Sequence, residues 1–358
     1  PYLKKGDNVL SVRVDHSRYA DSRWYTGSGI YRDVWLIAAP EIHLAQWGIG
    51  WHATSLTDRQ ATIAVDMEVQ KHITTGNRLE LSATLYDATG KQVAQRRTRV
   101  SDGKEGITKE NLTLKITKPH RWNLDDPYLY TLKTELLSNG KRIDGCETKV
   151  GLRTLKFDPN KGFALNDNWM KVKGVCLHHD AGVLGAVVPP EVWERRLNNL
   201  KEIGVNAIRM SHNPQAPVVY DLCDQLGLLI MDEASDEWEF PKRKWVKGWN
   251  KGEPAYDGSF DFFEEWIEQD VTDMVRRDRN HPSIFMWSIG NEVDYPNDPY
   301  SHPILDGSTI NQPMFGGYKP DAPDAMRIGK IAKRLAACVR AVDTSRPVTG
   351  ALAGVVMS

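Results

Sequence analysis

The stretch Ser283-Ile284-Phe285-Met286-Trp287-Ser288-Ile289-Gly290-Asn291-Glu292-Val293 decides how the chain is read. Ile284 to Ile289 is a short apolar, β-favouring run closed by Gly290, which is the pattern of a buried strand. Just beyond it the chain delivers an amide, Asn291, and a carboxyl, Glu292. If the strand is one stave of a (β/α) barrel, both side chains stand at the C-terminal rim. Loops over a packed floor can hold a reactive carboxyl partly out of water there. Alone, an Asn-Glu pair more often marks an ordinary strand-to-loop turn, so the flanking sequence has to carry the decision.

Around that stretch, strands and helices alternate from about residue 153 onward. Strands are expected at Met170 to Cys176, Val205 to Met210, Leu228 to Asp232, Ile284 to Ile289 and Pro347 to Leu352. Between them run stripes of helical period: Trp193, Leu197, Leu200 and Ile203; Phe263, Ile267, Val271 and Met274; Ile328, Ile331, Leu335, Val339 and Val342. Successive βα units predict a parallel sheet with helices outside. A doubly wound sheet would show a Gly-rich phosphate turn after its first strand, and none is present. The expectation is a partial TIM barrel over 153–358, holding strands one to about five.

Upstream the period is two. Ala61, Ile63, Val65, Met67 and Val69 fall on one face, as do Leu79, Leu81, Ala83 and Leu85, then Leu112, Leu114 and Ile116, then Tyr130, Leu132, Thr134 and Leu136. Polar turns at 75–77, 88–90 and 138–140 separate them, which predicts an immunoglobulin-like β-sandwich over 41–152. Residues 1–40 are expected to supply two further strands, Asn8 to Val14 and Asp33 to Ile37, around a glycine-punctuated aromatic loop, Ser22 to Arg32. Two strands do not make a domain. The segment therefore reads as the closing part of another sandwich, and the chain, which opens without Met, as an internal piece of a longer protein.

Composition narrows the partners. Lys plus Arg number 46 against 47 Asp plus Glu, a formal net charge of -1 with no long run of one sign, so neither nucleic acid nor a membrane surface is expected as a partner. No apolar run approaches the roughly 18 residues of a membrane helix. The cysteines at 146, 176, 223 and 338 are widely spaced, without metal-ligand cadence. Twelve Trp and twelve Tyr outnumber eight Phe, and rings with one apolar face and one polar edge suit stacking on sugars as well as ordinary cores.

Polar groups gather after each expected strand: Leu177-His178-His179-Asp180 after the first, Ser211-His212-Asn213-Pro214 after the second, Glu233-Ala234-Ser235-Asp236-Glu237-Trp238 after the third, Asn291-Glu292 after the fourth. Any one of these can be a structural turn. Together, in barrel geometry, they converge on one mouth with imidazoles, carboxylates, an amide, Arg209 and Trp238, a set suited to a polyhydroxylated ligand. His178, His212 and Glu237 are also legitimate metal ligands, yet no HExxH or comparable spacing supports zinc. There is no GxSxG elbow for a serine hydrolase.

Lys173 to Asp180, Asn206 to Pro214, Met231 to Ala234, and Arg277 to Ser283 with Trp287 to Glu292 together resemble glycoside hydrolase family 2, especially its bacterial β-galactosidases. Ser22 to Leu36 and Trp122 to Tyr130 extend the resemblance over essentially the whole chain. It implies a jelly-roll sugar-binding domain (whose C-terminal part is 1–40), an immunoglobulin-like domain and a catalytic (β/α)8 barrel. Glu292 matches the family's acid/base, Asn291 the residue that holds the sugar 2-hydroxyl, Arg209 the arginine that supports the nucleophile, and His178 and His212 the pocket histidines. Asp180, Asp236, Glu237 and Trp238 are expected substrate contacts. Glu237 falls near a position that binds Mg²⁺ in some members. The local sequence differs there, so no metal or other cofactor is carried over, although a divalent ion is not excluded.

Retaining glycosidases pair an acid/base carboxyl with a nucleophilic one about 5–5.5 Å away. The donor must keep its proton near neutral pH, which partial desolvation beside a second carboxylate favours. The family nucleophile follows strand seven, beyond this chain, so the chain alone is expected to be inactive. The expected function is a retaining hydrolase of β-linked terminal sugars, first of all a β-galactosidase. A β-glucuronidase, a β-mannosidase and a non-catalytic carbohydrate-binding protein are the alternatives. The resemblance alone favours a periplasmic or secreted location and allows a homo-oligomer.

Overall fold

The computed structural model describes residues 3–15, 27, 29–101, 103–245, 247, 251–294, 300–303 and 320–352. Seven antiparallel strands form a two-sheet sandwich. β1 (Ile42–Leu56), β2 (Gln60–Lys71) and β5 (Gly106–Thr117) make one sheet in the order β1-β2-β5. β3 (Leu79–Tyr86), β4 (Gln92–Arg99), β6 (Tyr130–Ser138) and β7 (Lys141–Val150) make the other in the order β4-β3-β6-β7. The alternating residues of β2, β3, β5 and β6 meet between the sheets: Ile63, Val65, Leu81, Leu85, Leu114 and Leu132 are all at most 1% exposed. β4 and β7 went unread because edge strands replace the apolar alternation with charge, as Arg96, Arg97 and Arg99 do on β4.

The two strands expected before residue 40 are not formed. Residues 3–15 and 29–40 join no sheet, and Val9, Leu10, Trp35 and Leu36 are 80–90% exposed. An alternating sequence becomes a strand only when its backbone finds a ladder partner and its apolar face a cover, and the described residues give these segments neither. Of the aromatic loop, Ser22 to Thr26 and Ser28 lie outside the described residues.

A small antiparallel unit that the sequence reading missed, β8 (Leu155–Asp158), β9 (Gly162–Leu165) and β10 (Asn168–Met170), precedes the parallel sheet. That sheet runs β11 (Gly174–Leu177), β12 (Ala207–Met210), β13 (Leu229–Glu233), β14 (Ile284–Ser288) and β15 (Val348–Thr349), each strand beside its predecessor in sequence. A doubly wound sheet reverses its order at a switch point. Five parallel strands added always on the same side are an arc of a barrel.

The helices cover the outer face. α1 (Pro190–Glu202), α3 (Phe263–Asp278) and α4 (Met326–Val342) bury the stripes expected of them, except that Ile203 is the exposed C-cap of α1. α3 opens on Glu264 and Glu265 and closes on Arg276 and Arg277, each sign opposing the helix dipole. α2 (Pro217–Leu226) was not anticipated, although it carries both punctuation marks, Pro at its start and Gly227 in the left-handed region (φ 71°) after its end. Among the described residues no helix is long and apolar enough to cross a membrane.

Inward side chains form layers. Ala207, Leu229 and Phe285 close the foot of the barrel together with Phe163 and Leu165 of β9 and with Trp122, which arrives from the sandwich linker and donates its indole N–H to the Asp224 carbonyl at 2.8 Å. Met231 and Met286 pack above them. The next inward layer is polar.

Candidate active site

That polar layer is centred on Glu233, the last residue of β13, which is fully buried. Its Oε2 accepts from Arg209 Nε at 2.9 Å, Arg209 Nη2 at 2.6 Å and Ser288 Oγ at 2.7 Å, and its Oε1 lies 2.5 Å from His212 Nδ1. A buried carboxylate is tolerable only when paired and hydrogen-bonded. Here the donors come from the ends of the two flanking strands, so the carboxylate at the end of β13 ties β12, β13 and β14 together beneath the mouth. Fully enclosed by these donors, Glu233 is an anchor and not an attacking group.

Arg209 bridges onward, its Nη2 donating to Asn291 Oδ1 at 2.9 Å. The other end of that amide donates to Asp236 Oδ1 at 2.8 Å. An amide has two donor hydrogens and two acceptor lone pairs, so one of each remains for a ligand after Arg209 and Asp236 have been served. Glu292 follows, half-buried, with φ 42°. A non-glycine residue in the left-handed region is strained by about 1–3 kcal/mol and persists where its surroundings over-determine it. Among the described residues no side chain takes the Glu292 carboxyl.

His178 meets this network through His212: the two rings are 5.2 Å apart and nearly perpendicular (78°). The Ser211–His212 peptide bond is cis. Thus His178, His212, Arg209, Asn291 and, next in the chain, Glu292 form one connected group. His179 turns the other way, its Nδ1 3.0 Å from Gln215 Oε1 and its ring beside Trp193 of α1. Burial, with Arg32 nearby, pushes its pKa down to about 4. Asp180 is half-buried, and its backbone carbonyl accepts from Arg196 at 2.6 Å.

The three residues expected as sugar contacts after β13 have other commitments. Asp236 accepts from Lys242 Nζ at 2.8 Å as well as from Asn291. Glu237, 3% exposed, accepts from Lys244 Nζ and from the Lys242 N–H, both at 2.9 Å. Trp238, 2% exposed, donates its indole N–H to the Ile289 carbonyl at 2.9 Å and packs against Gly290, where a Cβ would stand 2.6 Å from that nitrogen. The indole thus lies behind the strand-four turn, committed to the main chain there, whereas the sequence reading expected Trp238 as a substrate contact. Glu233, Ser288, Lys242 and Lys244 had been given no role. The register that sets Glu233 beside Ser288 follows from the parallel pairing, and no single motif announces it.

A set with metal-ligand chemistry lies at the opposite end of the barrel. Asp221, Asp224 and His281 have ligand atoms within 4.8 Å of one another. There Asp224 Oδ2 is 2.6 Å from His281 Nδ1, and Oδ1 accepts the Ser283 N–H at 3.0 Å. Burial alone would lower the imidazole pKa. The Asp224 carboxylate outweighs that and raises the His281 pKa to about 9, so the ring pairs with the carboxylate as a charged donor.

The stretch from Arg276 to Asn280 fastens the barrel to the sandwich. Arg276 Nη2 pairs with Glu68 Oε2 at 2.6 Å, Asn280 Nδ2 donates to the Ile49 carbonyl at 2.8 Å, and Trp51 N–H donates to Asn280 Oδ1 at 3.2 Å.

Comparison with known proteins agrees with this architecture. Residues 43–153 match the family model described as glycosyl hydrolases family 2, and residues 159–354 match its TIM barrel domain. The chain is 40% identical to the β-galactosidase BoGH2A of Bacteroides ovatus over 356 residues, 98% of this chain and 40% of that protein. It is 31% identical to a β-glucuronidase of Bacteroides fragilis over 310 residues, 83% of this chain and 43% of that one. Among solved structures, a family 2 member from Bacteroides cellulosilyticus superposes with a TM-score of 0.77 at 32% identity, covering 93% of this chain and 39% of the other. A β-glycosidase from Bacteroides vulgatus gives 0.75 at 34%, covering 94% and 37%. The chain therefore spans about two fifths of the length of these relatives. With both its sandwich and its barrel matched in order, the chain belongs to glycosyl hydrolase family 2.

Proposed function

We propose that the protein is a retaining glycoside hydrolase acting on β-linked terminal sugars, with Glu292 as acid/base, and that its sugar is a β-galactoside. The observation that carries this reading is the carboxyl of Glu292 on a strained turn at the end of strand four, next to an amide already oriented by Arg209 and Asp236. Cleavage needs a proton for the departing oxygen and a carboxylate to take the anomeric carbon. Glu292 supplies the first. The second is contributed by a part of the protein outside the five strands described, since Glu233 is enclosed by its own donors. Asn291 offers its remaining N–H and lone pair to a sugar hydroxyl, and His178 and His212 form the neighbouring wall. Glu237 is paired with Lys244. We also divide the chain at 1–40, 41–152 and 153–358, as the end of a jelly-roll, the immunoglobulin-like sandwich and the catalytic barrel.

A β-galactoside is favoured over a β-glucuronide on two grounds. The relative matched over 98% of the chain is named a β-galactosidase. Among the described residues, Arg209, Lys242 and Lys244 near the strand ends are each paired with a carboxylate of the chain, whereas a uronic acid needs a cation of its own. The test is a panel of nitrophenyl and methyl β-glycosides with the full-length protein and its Glu292→Gln variant. The β-galactoside should be turned over fastest. The variant should lose at least about 100-fold on substrates with poor leaving groups, within the usual range for a lost acid/base, while still binding the sugar. Unchanged turnover of those substrates would remove Glu292 from its role, and a faster β-glucuronide would change the sugar.

A further inference from the structure

The direction of the Glu292 carboxyl is inherited from Asn291, and the contacts of Asn291 identify what holds it. Every polar atom of that residue has a partner. Its N–H donates to the Ser235 carbonyl at 3.0 Å, and its carbonyl accepts from Lys242 Nζ at 2.7 Å. Its Oδ1 accepts from Arg209, and its Nδ2 donates to Asp236. Lys242 alone acts on two of these, directly on the carbonyl and through Asp236 on the amide. The lysine is 2% exposed. A charge so buried requires a paired anion and hydrogen-bond acceptors, and its bridge from Asp236 to the main chain of the catalytic turn supplies the anion and two acceptors. The carbonyl it grips lies on the peptide that leads directly into the strained φ of Glu292.

We propose that Lys242 is a positioning residue for the acid/base. By holding the Asn291 carbonyl and, through Asp236, its amide, it keeps the Glu292 carboxyl aimed at the departing oxygen. This rests on the role given to Glu292 above. A donor misplaced by about 1 Å loses on the order of 100-fold in rate, and the loss falls on substrates that need a proton. Activated aryl glycosides, whose leaving groups depart as stable anions, are little affected.

The experiment uses the full-length protein and compares Lys242→Met and Lys242→Arg with the parent on 2,4-dinitrophenyl and methyl β-galactosides, or on the corresponding pair of whichever glycoside the parent hydrolyses. Thermal unfolding is recorded alongside. Lys242→Met should lower kcat/KM for the methyl glycoside about 100-fold and for the dinitrophenyl glycoside less than about 5-fold. Lys242→Arg, which keeps the charge on a different geometry, should give an intermediate ratio. Equal losses on both substrates, in either variant, would mean that the lysine serves folding alone and would overturn the proposal, as would no loss on either. If Lys242→Met does not fold, the ratio in Lys242→Arg decides. Failure of the underlying reading is separately visible, because Glu292→Gln would then show no dependence on the leaving group.

Discussion

The stability of the barrel should fall as pH rises from about 6.5 to about 9, and one side chain at its foot accounts for the slope. His281 is held 2.6 Å from the Asp224 carboxylate, with Asp278 and Asp221 also nearby, and these anions overcome the opposing effect of burial to raise its pKa to about 9. An unfolded histidine titrates near 6.5. A raised folded pKa means that the stabilisation is complete below about 6.5 and is lost as pH climbs through about 9. At about 1.36 kcal/mol per pH unit, the contribution is about 3 kcal/mol, a large share of the 5–15 kcal/mol typical of a domain. The assay is urea unfolding followed by tryptophan fluorescence, for the parent and for His281→Gln, from pH 6 to pH 10. The side chain of Gln retains a donor but cannot ionise, so the parent should lead by about 3 kcal/mol at pH 6, and the lead should close by pH 10. Subtracting the variant removes the titrating groups that do not interact with His281 from the comparison. A gap independent of pH, or one that widens with pH, would refute the assignment of a charged imidazole at 281.

Glu233→Gln keeps the shape and removes the charge on which Arg209, His212 and Ser288 converge. Breaking a buried pair from one side costs about 3–5 kcal/mol, so the thermal midpoint should drop by several degrees and turnover should fall with it, and an unchanged midpoint would show that the anchor is dispensable. Gly290→Ala sets a methyl 2.6 Å from the Trp238 indole nitrogen. Overpacking of that kind costs about 1–3 kcal/mol, and because the displaced ring borders the turn that carries Glu292, kcat should fall more than KM rises, a split that steady-state kinetics would show directly.

How far the sequence could be read follows from where each feature keeps its information. The barrel strands open on apolar runs and are bounded by Gly or polar residues, so β12, β13 and β14 were visible within two residues of their ends. The sandwich centre was visible because Leu79, Leu81, Ala83 and Leu85 repeat every second position. The edge strands β4 and β7 were hidden by the charges that protect them, and residues 8–14 and 33–37 misled because alternation shows a willingness to pair without supplying a partner. The site divides along the same line. The place of Glu292 was legible because Gly290-Asn291-Glu292 closes a strand, and the role proposed for it comes from the resemblance to a family of enzymes. The restraint on Glu292 was not, since Lys242 lies 49 residues before Asn291 in a charged segment that reads as solvated loop. In the folded chain the Lys242 side chain reaches the strand-four turn and is buried against it. The chemical group is written locally, therefore, while the precision with which it is aimed resides in contacts between strands, and substitutions around 242 should alter catalysis even though nothing nearby in sequence marks them as part of the site.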